Sequence, residues 1–66
     1  MLPEDRDVGC LVDMLENARI ALGYVAGLTT GQFAAQQMVQ DAVVRRIAII
    51  GEAARLVSDA RRAALP

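Results

Sequence analysis

Apolar positions fall into two adjacent rows along the second half of the chain. The run DAVVRRIAIIGEAARLVS, Asp41 to Ser58, has no proline and only Gly51 as a weak helix former, so it reads as helix. At about 100° per residue, Val39, Val43, Ile47, Ile50, Ala54 and Val57 form one row. Ala42, Ile49, Ala53, Leu56 and Ala60 form a second beside it. Together they cover roughly half the circumference, wider than a single core-facing stripe requires. Asp41, Arg45, Glu52, Arg55, Asp59 and Arg62 occupy the opposite side. The pattern predicts one long helix reaching about Ala64, with Pro66 closing the chain, and a demand for more than one packing neighbour.

The first half has a matching pattern. Val8, Leu11, Met14 with Leu15, Ala18, Ala21 with Leu22, and Val25 recur at three- and four-residue steps. Pro3 suits a first helical turn, and Glu4, Asp5 and Asp7 place negative charge where the helix dipole is positive. A helix over about residues 3–25 follows, with Asp13, Glu16, Asn17 and Tyr24 on its far side. Val12 and Ile20 lie off the main stripe and hint at a second interface. Gly23 weakens the last turn, and Gly27 fits the left-handed residue that ends a helix. Thr29 or Thr30 then caps a short helical turn from Thr30 to about Gln37, with Gln32 or Phe33 near the capping-box position and Phe33 as buried anchor. The fold expected is all-α: an antiparallel helical hairpin with a short connecting helix, as one domain over residues 1–66.

Size sharpens the demand for a partner. A chain of 66 residues buries only about 60% of its unfolded surface and is marginal without help. One cysteine, Cys10, allows no intrachain disulfide, and with no histidine a zinc cage from this chain is not expected. Oligomerisation remains, so two hairpins are expected to pair into a four-helix bundle as a homodimer or higher assembly. The composition, 55% hydrophobic and 3% aromatic, favours a helical core of Ala, Leu, Ile and Val over a sheet. A net charge of −1 gives no general attraction to nucleic acid or anionic lipid. All seven basic residues are arginine, which reads as base composition before it reads as function. The acidic start MLPEDRD is unlike a signal peptide, and no apolar run is long enough for a membrane span, so the expected location is cytoplasmic.

Candidate chemistry is sparse. The absence of histidine removes the usual general acid–base group. Gly27-Leu28-Thr29-Thr30-Gly31 lacks the lysine and preceding strand of a phosphate loop and reads as a helix-joining turn. Cys10 reads as a buried thiol, and Asp13 with Glu16 and Glu52 with Asp59 as solvated surface charge. No metal site or cofactor is expected. Two residues stand out. Arg46 falls within the apolar arc, where a lone charge is costly. It is expected to meet a carboxylate or backbone carbonyl, with Asp13 the first candidate. Gly51 costs about 1 kcal/mol relative to alanine in a helix, and close approach of another backbone would explain it.

The order and spacing of RDVGCLVDML (Arg6 to Leu15), GLTTGQF (Gly27 to Phe33) and DAVVRRIAIIGEAARLVS resemble the HepT-like proteins of the HEPN superfamily of helical ribonucleases. The DAVVRR…IIGEAA block is the most specific part, and the resemblance spans nearly the whole chain. It implies an all-helical antiparallel bundle, homodimerisation, and the role of ribonuclease toxin in a toxin–antitoxin pair with a minimal nucleotidyltransferase as antitoxin. HepT-like proteins carry, in further helices, an arginine followed by a histidine as the ribonuclease motif, and this sequence has no position to receive it. The chain therefore resembles the N-terminal half of such a toxin, truncated at its C-terminus, with RNA a partner only of the full-length form. Asp41, Arg45, Arg46, Gly51 and Glu52 transfer as framework or interface positions, and Ile47, Ile49, Ile50 and Leu56 are the expected oligomer interface. The alternative is a non-catalytic dimerisation or protein-interaction module.

Overall fold

The computed structural model describes residues 3–65. It contains helix α1 (Pro3–Val25), a short α2 (Thr30–Ala34), α3 (Gln37–Leu56) and α4 (Asp59–Ala64), with no strand among the described residues. Helices α1 and α3 pack side by side as the expected hairpin, with α2 at the turn. The molecule measures 43 × 23 × 14 Å. Its least dimension is close to one helix diameter with side chains, about 10–12 Å, so the hairpin is a single layer with both broad faces open.

The turn forms by local chemistry. Gly27 adopts φ 77°, the left-handed conformation that stops α1, and the Leu28 N–H then bonds the Val25 carbonyl at 3.0 Å. The Thr29 hydroxyl accepts the Gln32 N–H at 3.1 Å, and Gln32 Oε1 accepts the Thr29 N–H at 2.9 Å, completing the capping box. Helix α2 ends at Ala34, short of Gln37. The Gln40 side-chain amide donates to the Phe33 and Ala34 carbonyls at 3.0 and 2.9 Å, satisfying the end of α2 from the first turn of α3. Phe33 is half-buried rather than fully enclosed, and with Val25, Leu28, Thr29 and Thr30 it lines an open groove at this end.

The core is small: Cys10, Ala53 and Val57 are buried, with Leu11 and Met14 packed against them. Its position shows that α1 is rotated from the orientation its apolar stripe suggests. The inward row is Asp7, Cys10, Leu11, Met14, Asn17, Ala18, Ala21 and Val25, while Val8, Leu15 and Leu22 are 53%, 53% and 68% exposed. The two apolar rows of α3 divide likewise. Ala53 and Val57 are inside, Ile49 and Ile50 are half-buried, and Ile47 and Leu56 stand 57% and 58% exposed.

The predicted continuous helix to Ala64 is interrupted. Val57 (ψ 133°) and Ser58 (ψ 154°) are both extended, so α3 stops at Leu56 and α4 starts afresh at Asp59. No proline or glycine lies here. At the break, the Ser58 N–H and hydroxyl both donate to Asp7, from the other end of the chain.

Candidate functional site

Two polar clusters cross between the helices, and neither is formed by neighbours in sequence. The first surrounds Arg46, which lies half-buried on the inner side of α3. Its Nη1 donates to Asn17 Oδ1 at 3.0 Å, and Nη2 lies 3.5 Å from the Tyr24 hydroxyl oxygen. Asn17 Nδ2 donates to the Asp13 carbonyl at 2.8 Å, which fixes the amide with its oxygen toward the guanidinium. The partner is thus a neutral side chain, and neither the carboxylate of Asp13 nor a backbone carbonyl. Arg46 keeps part of its surface in water, so amide and phenol dipoles suffice where full burial would demand an opposite charge. Asp13 itself is exposed.

The remaining framework positions do not gather around Arg46. Asp41 is exposed and accepts from Gln37 Nε2 at 2.8 Å within the first turns of α3. Arg45, Gly51 and Glu52 are also exposed. A side-chain carbon added to Gly51 would meet nothing within 4 Å, so no backbone within the chain approaches it closely. Of the close approaches that would explain Gly51, one within the chain is absent, which leaves one from a second copy. Cys10 is buried as expected.

The second cluster joins the start of α1 to the α3–α4 junction. Asp7 is only 3% exposed. Its Oδ1 accepts the Ser58 backbone N–H at 2.9 Å, and its Oδ2 accepts the Ser58 hydroxyl at 2.6 Å. The Ser58 Oγ in turn accepts the Arg61 N–H at 3.2 Å, capping α4, while Arg61 Nε lies 3.9 Å from Oδ2. No buried side-chain polar atom among the described residues is left without a partner. Reading Asp7 as one of several first-turn charges missed this cluster. The available signal was Ser58-Asp59, a capping residue followed by an acidic first turn, inside an otherwise unbroken helical pattern.

The Ser58 hydroxyl and then the Ser58 N–H hold the Asp7 carboxyl below its ordinary pKa of 3.8 against the burial that opposes them, with smaller help from Arg61 and Arg6. Because the folded value is the lower one, the stabilisation is fully present above the unfolded pKa and disappears as pH falls through the folded value. The urea midpoint of the chain is therefore expected to drop between pH 6 and pH 2.5, and to drop less in Asp7→Asn. Equal drops in the two chains would assign the acid sensitivity elsewhere.

Among the described residues no group of three or more His, Cys, Asp or Glu side chains is placed to hold a metal ion. No described helix is long and apolar enough to cross a membrane. The two clusters tie α1 to the second half of the chain at two levels, Asn17–Arg46 in the middle of the hairpin and Asp7–Ser58 at the α3–α4 junction.

Comparison with known proteins adds one finding. Neither a curated protein nor a solved structure matches the chain. A family model described as Ribonuclease HepT-like matches residues 14–65, which takes in the second half of α1 and all of α2, α3 and α4. The match covers most of the 66 residues, and the chain belongs to the HepT-like ribonuclease family.

Proposed function

We propose that this chain is the pairing hairpin of a HepT-like toxin from a toxin–antitoxin system, and that its own 66 residues self-associate but cleave no RNA. The observation that carries the reading is the family match over residues 14–65, on a hairpin that leaves large apolar side chains in water. Those side chains are arranged. Val8, Val12, Leu15 and Leu22 form one exposed row on α1, and Val44, Ile47 and Gly51 another on α3. Because both helices are right-handed, run antiparallel and face each other through their inner rows, these two outer rows fall on the same broad face of the layer. A second copy laid on that face gives a four-helix bundle with Gly51 at a close crossing.

The catalytic part of the reading rests on what the sequence holds. Ribonuclease chemistry of the family type uses an arginine-to-histidine motif, and the 66 residues contain no histidine. Purified chain incubated with a labelled RNA pool, with chelator controls, is expected to leave the RNA intact. Cleavage that survives repurification and is lost in Arg46→Ala would overturn this. A minimal nucleotidyltransferase is the antitoxin class to test for binding. A stand-alone interaction module is the second reading, favoured by the same exposed face. A nucleotidyltransferase that co-purifies with the chain supports the toxin reading, and its failure to bind favours the module.

A further inference from the structure

The break between α3 and α4 is imposed from a distance. Residues 56–62 read Leu-Val-Ser-Asp-Ala-Arg-Arg, with nothing that forbids a helix. In an unbroken helix the Ser58 N–H would bond the Ala54 carbonyl. Here that N–H goes to Asp7, and the vacated Ala54 carbonyl accepts instead from Arg62 Nη2 at 2.7 Å and from the Val57 N–H at 3.3 Å. The Ser58 hydroxyl is doubly engaged, donating to Asp7 and accepting from the Arg61 N–H. The Ser58 N–H and the Ala54 carbonyl, which would bond each other in an unbroken helix, thus both have other partners, and Asp7 accepts from both donors of Ser58.

The packing does not demand the break. Val57 follows Val43 and Ile50 at seven-residue steps, so a continuous helix would keep it on the same inward row. Helix α4 has no buried residue and contributes nothing to the core cluster. What distinguishes the broken from the unbroken arrangement is therefore the Asp7–Ser58 pair and the bonds that depend on it.

We infer that Asp7 is a conformational latch: with its carboxylate on Ser58, α4 is turned out of line, and on release α3 and α4 join into one helix from Gln37 to Ala64. The chain then has two arrangements with a common core, differing in the direction in which residues 59–65 leave the hairpin. The charged groups around the latch are Arg6 on α1 and Arg61 on α4, with the Cys10 thiol one turn along α1. This inference does not depend on self-association or on the toxin reading.

The test uses the full isotope-labelled chain and reads the Cα and Cβ chemical shifts of Val57 and Ser58. The parent chain is expected to show extended values at both residues. In Asp7→Ala both are expected to move to helical values while the Val57 methyl groups keep their dispersed, folded positions. Ser58→Ala, which removes the hydroxyl bond and the cap together, is expected to move in the same direction to a smaller extent. Extended shifts at Val57 and Ser58 in a folded Asp7→Ala chain would overturn the latch. So would unfolding of both variants, which would make the pair a tie without which no second arrangement exists.

Discussion

An Ile47→Glu chain is expected to run as a monomer at concentrations where the parent chain is dimeric, with its dimer affinity lowered at least about a hundredfold. Ile47 is 57% exposed in the single hairpin, beside Val44 at 64% and the open Gly51. Full burial of such a side chain contributes about 1.5–3 kcal/mol, and roughly half of that remains to be gained by Ile47 on pairing. A two-fold interface counts it twice, giving on the order of 1.5–3 kcal/mol, and a tenfold change in affinity corresponds to about 1.4 kcal/mol. Two like charges set into an apolar interface add a desolvation cost on top. The hairpin should keep its fold, because position 47 faces away from the Cys10–Ala53–Val57 core. Leu56, grouped with Ile47 as interface on sequence grounds, is as exposed, at 58%, but belongs to the opposite flank of α3, so Leu56→Glu is the control and should stay dimeric. Sedimentation equilibrium of the three chains decides the matter. Dissociation by both substitutions, or by neither, would move the interface elsewhere.

The second large effect concerns the core. Ala53→Leu is expected to destabilise the hairpin by about 1–3 kcal/mol, because extra methylenes in a packed contact force side chains off their rotamers or helices apart. Ala53 is 7% exposed and lies with Cys10 and Val57 where α1 meets α3. A chain of 66 residues has a total stability of only about 3–10 kcal/mol, so the substitution removes a large fraction of it. With a urea dependence near 1 kcal/mol per molar for so small a domain, the midpoint should fall by about 1–3 M. Ala60→Leu, exposed on α4, should leave it within about 0.5 M, corresponding to the small effects usual for surface substitutions. Protein concentration must be held fixed across the series, since the proposed pairing would add to the apparent stability.

Most of the fold was legible in the sequence because it depends on short-range signals. The three-and-four spacing placed α1 at residues 3–25, Gly27 ended it, and Thr29 with Gln32 capped the next turn. The rotation of α1 was less legible. Its apolar stripe named Val8, Leu15 and Leu22 as core, but the inward row runs through Asp7, Cys10 and Asn17. Those polar residues point inward because each has a partner on the other helix or at its end, Ser58 for Asp7 and Arg46 for Asn17. A pattern reading that equates polar with outward cannot see such pairs, since their energy comes from residues far apart in sequence. The helix break at Val57-Ser58, where the Ser58 N–H and hydroxyl bond a carboxylate at position 7, was missed because the Ser58-Asp59 capping signal was read as part of one continuous helix. Arg46 was singled out correctly as a residue that must find a partner. The partner differed because half-burial asks less of it than full burial would.

Self-association of the hairpin is the claim on which the functional reading turns, and the parent chain tests it most directly. Light scattering coupled to gel filtration gives the mass, and thermal melts over a hundredfold range of concentration give the linkage of folding to pairing. The account predicts a compact species of twice the 7.1 kDa chain mass, with a melting temperature that rises with concentration. A compact species of single-chain mass, melting at one temperature throughout that range, would contradict it.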